Sequence, residues 1–164
     1  MKKHSKSSVT AVDSRDHNRL PSAQVLRQYV QRFPQASVLV VGDLILDHYV
    51  MGKVSRISPE APVPVVHVES ESLRLGGAAN VFNNILALGG KADLCGVIGD
   101  DESGRLLMKE LGAKRSGRGG VVIDRDRPTT RKSRVIAHNQ QIVRYDVEGR
   151  HELKTVLQLS LIHI

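Results

Sequence analysis

Leu73 to Gly90 reads LRLGGAANVFNNILALGG, with one pair of glycines ahead of an apolar repeat and a second pair behind it. Val81, Ile85 and Leu88 recur at helical spacing, with Ala78 and Phe82 beside them. That pattern predicts a helix over 78–88 with this side inward, closed by Gly89 and Gly90. Gly76 and Gly77 stand where the helix must begin, and two readings compete there. They permit a tight turn and close packing, or they leave bare backbone at the positive end of a helix, where unpaired N–H groups can touch a ligand. The local pattern alone favours the turn. Asn80, one turn in, adds a carboxamide that donates and accepts at once, which suits a polyol hydroxyl.

Upstream, SVLVVGD (37–43) is continuously apolar. It predicts a central parallel strand buried on both faces. Asp43 and Asp47 are expected just past that strand, on the side where open α/β sheets take their ligands. A carboxylate there accepts hydrogen bonds from two neighbouring sugar hydroxyls, or it closes a turn or caps a helix. For Asp43 both roles stay open, and Asp47 is the better ligand candidate.

Downstream, KADLCGVIGDD predicts a buried strand and ESGRLLMKELGA a helix ended by Gly112. Strand and helix in alternation imply right-handed crossovers and a parallel sheet with helices on its faces, an α/β fold. SAQVLRQYVQRF reads as an earlier helix, started by Pro21 and Ser22 and stopped by Pro34. PVPVVHV (62–68) is strand-like, but its prolines push it to an edge or a flap. GRGGVVIDRDRPTT predicts loop, short strand and loop, and SRVIAHNQQIVRYDVE two strands joined around Asn139 and Gln140.

Composition bounds the function. The chain has 164 residues, 40% of them hydrophobic but only 3% aromatic, so one domain with an aliphatic core is expected. A formal charge of +7 raises nucleic acid or an anionic membrane as partners. The excess is local, however: Met1–Leu20 carries five Lys/Arg against two Asp, and Gly112–Arg134 eight against two. Residues 1–20 are expected to be a disordered basic tail, and 21–164 the folded part. Cys95 is the only cysteine and sits in an apolar run, so it predicts a buried thiol and no disulfide framework. The histidines show no ligand spacing, so no metal site is expected. The N-terminus lacks the apolar stretch of a signal peptide, and no run reaches membrane-spanning length, which makes the cytoplasm the expected location. Neither G-x-G-x-x-G nor a Walker A loop occurs.

Three blocks, VLVVGDLILDHY, LGGAANVFNNILALGG and GVIGDDESGRLL, together resemble the N-terminal half of the ribokinase-like, pfkB-type sugar kinases. Gly76, Gly77, Asn80, Gly89 and Gly99 meet the spacing of that family's first signature; Phe82 departs from it, standing where Ser, Thr or Ala is usual. GKVSRISPEAPVPVVHVE and DRPTTRKSRVIAHNQQIVRYDVE are similar to the branch that phosphorylates D-glycero-β-D-manno-heptose 7-phosphate on its anomeric oxygen, a step towards ADP-heptose for lipopolysaccharide.

The resemblance implies a three-layer fold with a parallel central sheet and a small β lid. It places Gly76, Gly77, Asn80 and Asp47 around the sugar, and the Pro-rich strand and later hairpin above it, with lid strands pairing between subunits. Lys132, Arg134 and Arg144 on or beside the lid could meet the 7-phosphate or stand as solvated cations. ATP and Mg2+ are the implied cofactors. The family's catalytic Asp belongs to a late G-A-G-D motif that these residues do not contain, so no catalytic residue is assigned here, and the chain is expected to carry the sugar half of the site without turnover. The final LQLSLIHI has lost the likeness and reads as an interrupted frame, for which poor solubility is expected. Two rival readings are a non-catalytic sugar-binding or dimerising domain and a basic nucleic-acid-binding module. Few aromatic stacking residues and confined charge weigh against the second.

Overall fold

A computed structural model describes residues 21–112, 119–149, 152–153 and 155. The expected basic tail and the closing run from Leu157 lie outside the described residues. The chain divides into two units, Met1–Arg32 and Phe33–Ile164. In the first, helix α1 (Ala23–Gln31) begins as predicted: the Ser22 hydroxyl accepts a hydrogen bond from the Val25 amide at 3.4 Å.

The second unit runs β1 (Ser37–Val41), β2 (Leu44–Ile57), β3 (Pro64–Gly76), α2 (Gly77–Ala87), β4 (Lys91–Gly99), α3 (Glu102–Gly112), β5 (Gly120–Asp124), β6 (Thr130–Ala137) and β7 (Gln140–Val147). A wholly parallel sheet has the order β1-β4-β5. Its middle strand is β4, which buries Ala92, Leu94, Cys95 and Ile98. The expectation that 37–43 is central and buried on both faces is therefore corrected. β1 is the edge of the described sheet and buries only Val40, while Leu39 and Val41 stand 62% and 64% exposed. Its apolar run reflects an outer face that no described residue covers.

A second sheet, ordered β3-β2-β6-β7, is mixed: β2 pairs antiparallel with β3 and parallel with β6, and β6 pairs antiparallel with β7. Here lie the strands expected to form a lid. β3 is an edge strand that starts at Pro64, where a missing N–H disturbs the ladder least. The β6–β7 hairpin turns through His138 and Asn139, one residue earlier than expected; both adopt left-handed φ, 51° and 62°, as a type I′ turn requires.

Leu44, Leu46, Phe82, Leu94, Leu107 and Leu111 are fully buried and join the two sheets to α2 and α3. Of the side expected to face inward on the helix over Gly77–Ala87, Phe82 is buried and Ala78 and Ile85 pack against the core, joined by buried Ala79, whereas Val81 and Leu88 are 50% and 63% exposed. Phe82 is its largest apolar side chain, and burying it outweighs burying a valine. The residue that departs from the family signature thus fixes the helix against the core.

Candidate functional site

The site starts at the glycine pair. Gly77 has φ of +55°, and a Cβ there would run into the Asp43 carbonyl, which accepts the Ala78 amide at 2.9 Å. The turn reading thus accounts for Gly77, and one leading N–H of α2 is satisfied within the fold. Gly76 does something else. It ends β3 opposite Ile45, and a Cβ on it would lie 2.5 Å from Oδ2 of Asp47. The missing side chain makes room for a carboxylate.

Asp47 is not past a strand, as the sequence suggested, but inside β2. Buried Leu44, Leu46 and Val50 alternate there with Ile45, Asp47 and Tyr49, so the strand points its polar side away from the core. The Oδ1 atom of Asp47 accepts from Nη1 of Arg134 at 2.6 Å. The two side chains are only 19% and 24% exposed. The same guanidinium lies over the Tyr49 ring, 5.4 Å from its centroid. The hydrogen bond to Asp47 is the main reason that the Arg134 pKa is raised, so the cation is held firmly.

Register places the remaining charges. Cross-strand partners share a face. Asp47 is opposite Arg74 on one side and Lys132 on the other; Lys132 is opposite Asp146, and Tyr49 is opposite Arg134, which is opposite Arg144. Two guanidiniums facing each other would repel, and each leans to a carboxylate in the neighbouring row. Arg134 takes Asp47, and Arg144 approaches Asp146, with Nε 3.2 Å from Oδ1. Lys132 makes no ion pair or hydrogen bond among the described residues.

Asp47, Gly76, Lys132, Arg134 and Arg144 therefore gather on one face of the mixed sheet. Asp43 is exposed and, with Gly42, borders two depressions, one lined also by Gly96, Arg127 and Thr130, the other by Ile45, Gly77, Ala78 and Val81. Asn80 is exposed as well and lines a third depression with Leu73, Arg74, Leu75, Asn83 and Glu110. It is not among the residues that line the hollow shared by Asp43 and Gly77. Arg74 escaped the sequence reading although it stands two residues ahead of the glycine pair; it is in register with Asp47 and borders the hollow of Asn80.

A carbohydrate-kinase family model, described as pfkB, matches residues 35–161, the span that contains both sheets and the glycine pair. The chain belongs to the pfkB family of carbohydrate kinases. Among curated proteins it is 50% identical over 125 residues to "Bifunctional protein HldE" of Helicobacter acinonychis (strain Sheeba), covering 76% of this chain and 27% of that relative. Among solved structures, a carbohydrate kinase from Agrobacterium tumefaciens superposes with a TM-score of 0.55 at 18% identity, over 67% of this chain and 34% of that one. The ribokinase of Cryptococcus neoformans var. grubii serotype A, solved with ADP, gives 0.50 at 23% identity, over 70% and 34%. This pfkB chain thus spans about a quarter of that curated relative and about a third of the solved kinases. Their likeness confirms the ribokinase-like α/β fold.

Proposed function

We propose that this pfkB chain carries the sugar-binding portion of a kinase that phosphorylates the anomeric oxygen of D-glycero-β-D-manno-heptose 7-phosphate, in the route to ADP-heptose and lipopolysaccharide. One observation carries the reading: a carboxylate, Asp47, has one oxygen on Arg134 and the other against the bare backbone of Gly76, on a sheet face rich in cations. A carboxylate so held can accept two sugar hydroxyls while the cations attract an anionic group. The 50% identity to a protein named HldE supports the heptose branch over other sugars.

Asp47 is assigned to sugar hydroxyls, with Gly76 and Gly77 forming the floor beside it. Asn80 and Asp43 line separate depressions, and their assignment to the sugar rests on the family resemblance. Lys132, without a partner among the described residues, is assigned to the 7-phosphate. Phosphoryl transfer also needs ATP and Mg2+, which the family implies. No group of three His, Cys, Asp or Glu side chains converges on a metal position among the described residues, and the nucleotide and its metal are assigned to the rest of the kinase domain. The chain alone binds sugar phosphate without releasing ADP. β7, exposed along its whole length, offers an edge through which a second subunit's lid would pair. No helix among the described residues is long and apolar enough to cross a membrane, and the reaction belongs in the cytoplasm.

Calorimetric titration of the chain with D-glycero-D-manno-heptose 7-phosphate tests this reading. Saturable binding is expected. No heat with the sugar phosphate, together with steeply salt-dependent binding of DNA or RNA, would replace the kinase reading with the nucleic-acid one.

A further inference from the structure

We infer that Arg134 is a positioning residue for Asp47 and does not read the substrate's phosphate. The inference rests on the sugar-site reading above and divides the labour among its cations. Two contacts commit the guanidinium, and a like charge across the register keeps it on them. It donates to Oδ1 of Asp47 at 2.6 Å, it lies over the Tyr49 ring at 5.4 Å, and it sits directly opposite the like-charged Arg144 in the β6–β7 register. Turning towards a phosphate would give up the first two, and the hydrogen bond to Asp47 is what binds its proton most firmly.

The consequence appears at the other carboxylate oxygen. Oδ2 lies in the space that a Cβ on Gly76 would take. With Oδ1 fixed by Arg134, the carboxylate cannot rotate about its last bond without losing a charge-assisted contact. Oδ2 then stays beside Gly76, the oxygen assigned to a sugar hydroxyl. Arg134 and Gly76 act on Asp47 from two sides, one by holding and one by yielding space. The substrate phosphate falls instead to Lys132, which is uncommitted among the described residues.

A positioning role and a phosphate-reading role differ in what they do to a ligand that has no phosphate. The test compares D-glycero-D-manno-heptose 7-phosphate with unphosphorylated D-glycero-D-manno-heptose by titration calorimetry. Arg134→Met keeps the apolar stem over Tyr49 and removes the charge. It is expected to weaken both ligands by the same factor, about ten-fold, the loss expected of one charge-assisted hydrogen bond. Arg134→Lys, which retains a donor for Asp47, should restore part of that loss for both. In an Asp47→Asn background, Arg134→Met should change either affinity by less than about two-fold, because the oxygen it orients is no longer charged. A loss confined to the phosphorylated ligand, or the same loss with and without Asp47, overturns the inference and leaves the sugar site standing. Failure of the unsubstituted chain to bind either ligand overturns both. Thermal melts of each variant separate misfolding from these outcomes, and Arg134→Lys supplies the comparison should Arg134→Met not fold.

Discussion

Gly76 and Gly77 adjoin in sequence but answer to different physics, and substitution should separate them. Gly77 needs its left-handed φ, and a side chain there also meets a main-chain carbonyl that cannot move aside. Gly77→Ala should cost about 2 kcal/mol and lower the melting temperature, with circular dichroism as the readout. Gly76 meets chiefly the Asp47 carboxylate, which can shift at the expense of its contact with Arg134 where a main-chain carbonyl cannot, with the Ile45 Cβ next at 3.2 Å. Gly76→Ala should therefore melt close to the unsubstituted chain while losing sugar affinity, because the methyl displaces Oδ2 of Asp47. Equal loss of stability in both variants would return Gly76 to a packing role. Lys132 makes a complementary prediction. Lys132→Gln should weaken heptose 7-phosphate by about ten-fold and leave unphosphorylated heptose unchanged, since only the former offers an anion to the ammonium.

Between elements, Asp101 is the knot. It precedes α3 and accepts the Gly104 amide at 2.7 Å with one oxygen and the Thr129 amide at 2.9 Å with the other. The Thr129 hydroxyl in turn accepts the Gly99 amide at 2.8 Å, so one carboxylate fastens the end of β4, the start of α3 and the segment entering β6. Burial works to raise its pKa, but the hydrogen bonds from Thr129 and Gly104 and the nearby Arg105 charge outweigh that and hold it below the ordinary 3.8. A carboxyl depressed on folding contributes stability that is present above its unfolded pKa and fades as pH falls through the folded one. Asp101→Ala should cost about 2 kcal/mol near neutral pH, from a lost cap and a stranded Thr129 amide. It should also flatten the fall in stability on the acid side of 3.8, read from urea midpoints across the acid range. An unchanged acid slope would place the titration elsewhere. The same elements show what the sequence disclosed. β4, α3 and the β6–β7 hairpin were legible because their apolar periods and breakers agree. β2 was missed although Leu44, Leu46 and Val50 alternate as a strand should, because the apolar residues Ile45 and Tyr49 on its other side mask the period. Asp47 was consequently placed past a strand. Its union with Arg134, 87 positions away, depends on the parallel β2–β6 pairing, which no local pattern discloses.

At the scale of the whole Phe33–Ile164 unit, the parallel sheet ends on an apolar side. β1 pairs only with β4 among the described strands, and its Leu39 and Val41 stand more than half exposed, as does Leu88 just past α2. Unpaired N–H and C=O groups beside exposed aliphatic side chains invite another strand, so association through this edge is expected as concentration rises. The lid offers a different edge at β7, exposed on both faces but carrying Arg144 and Asp146, charges that disfavour unspecific pairing. The two routes are separable. Leu39→Lys with Val41→Lys places two charges on the β1 edge at positions that fill no core space, so the melting temperature should hold within the modest range of surface changes. Light scattering behind size exclusion should then show large aggregates giving way to monomer or to a discrete dimer. Aggregation that persists undiminished would move its cause from β1 to another surface. A dimer that survives the lysines but disappears when Tyr145 and Val143 of β7 are made charged would assign the specific contact to the lid, leaving β1 responsible only for the unspecific one.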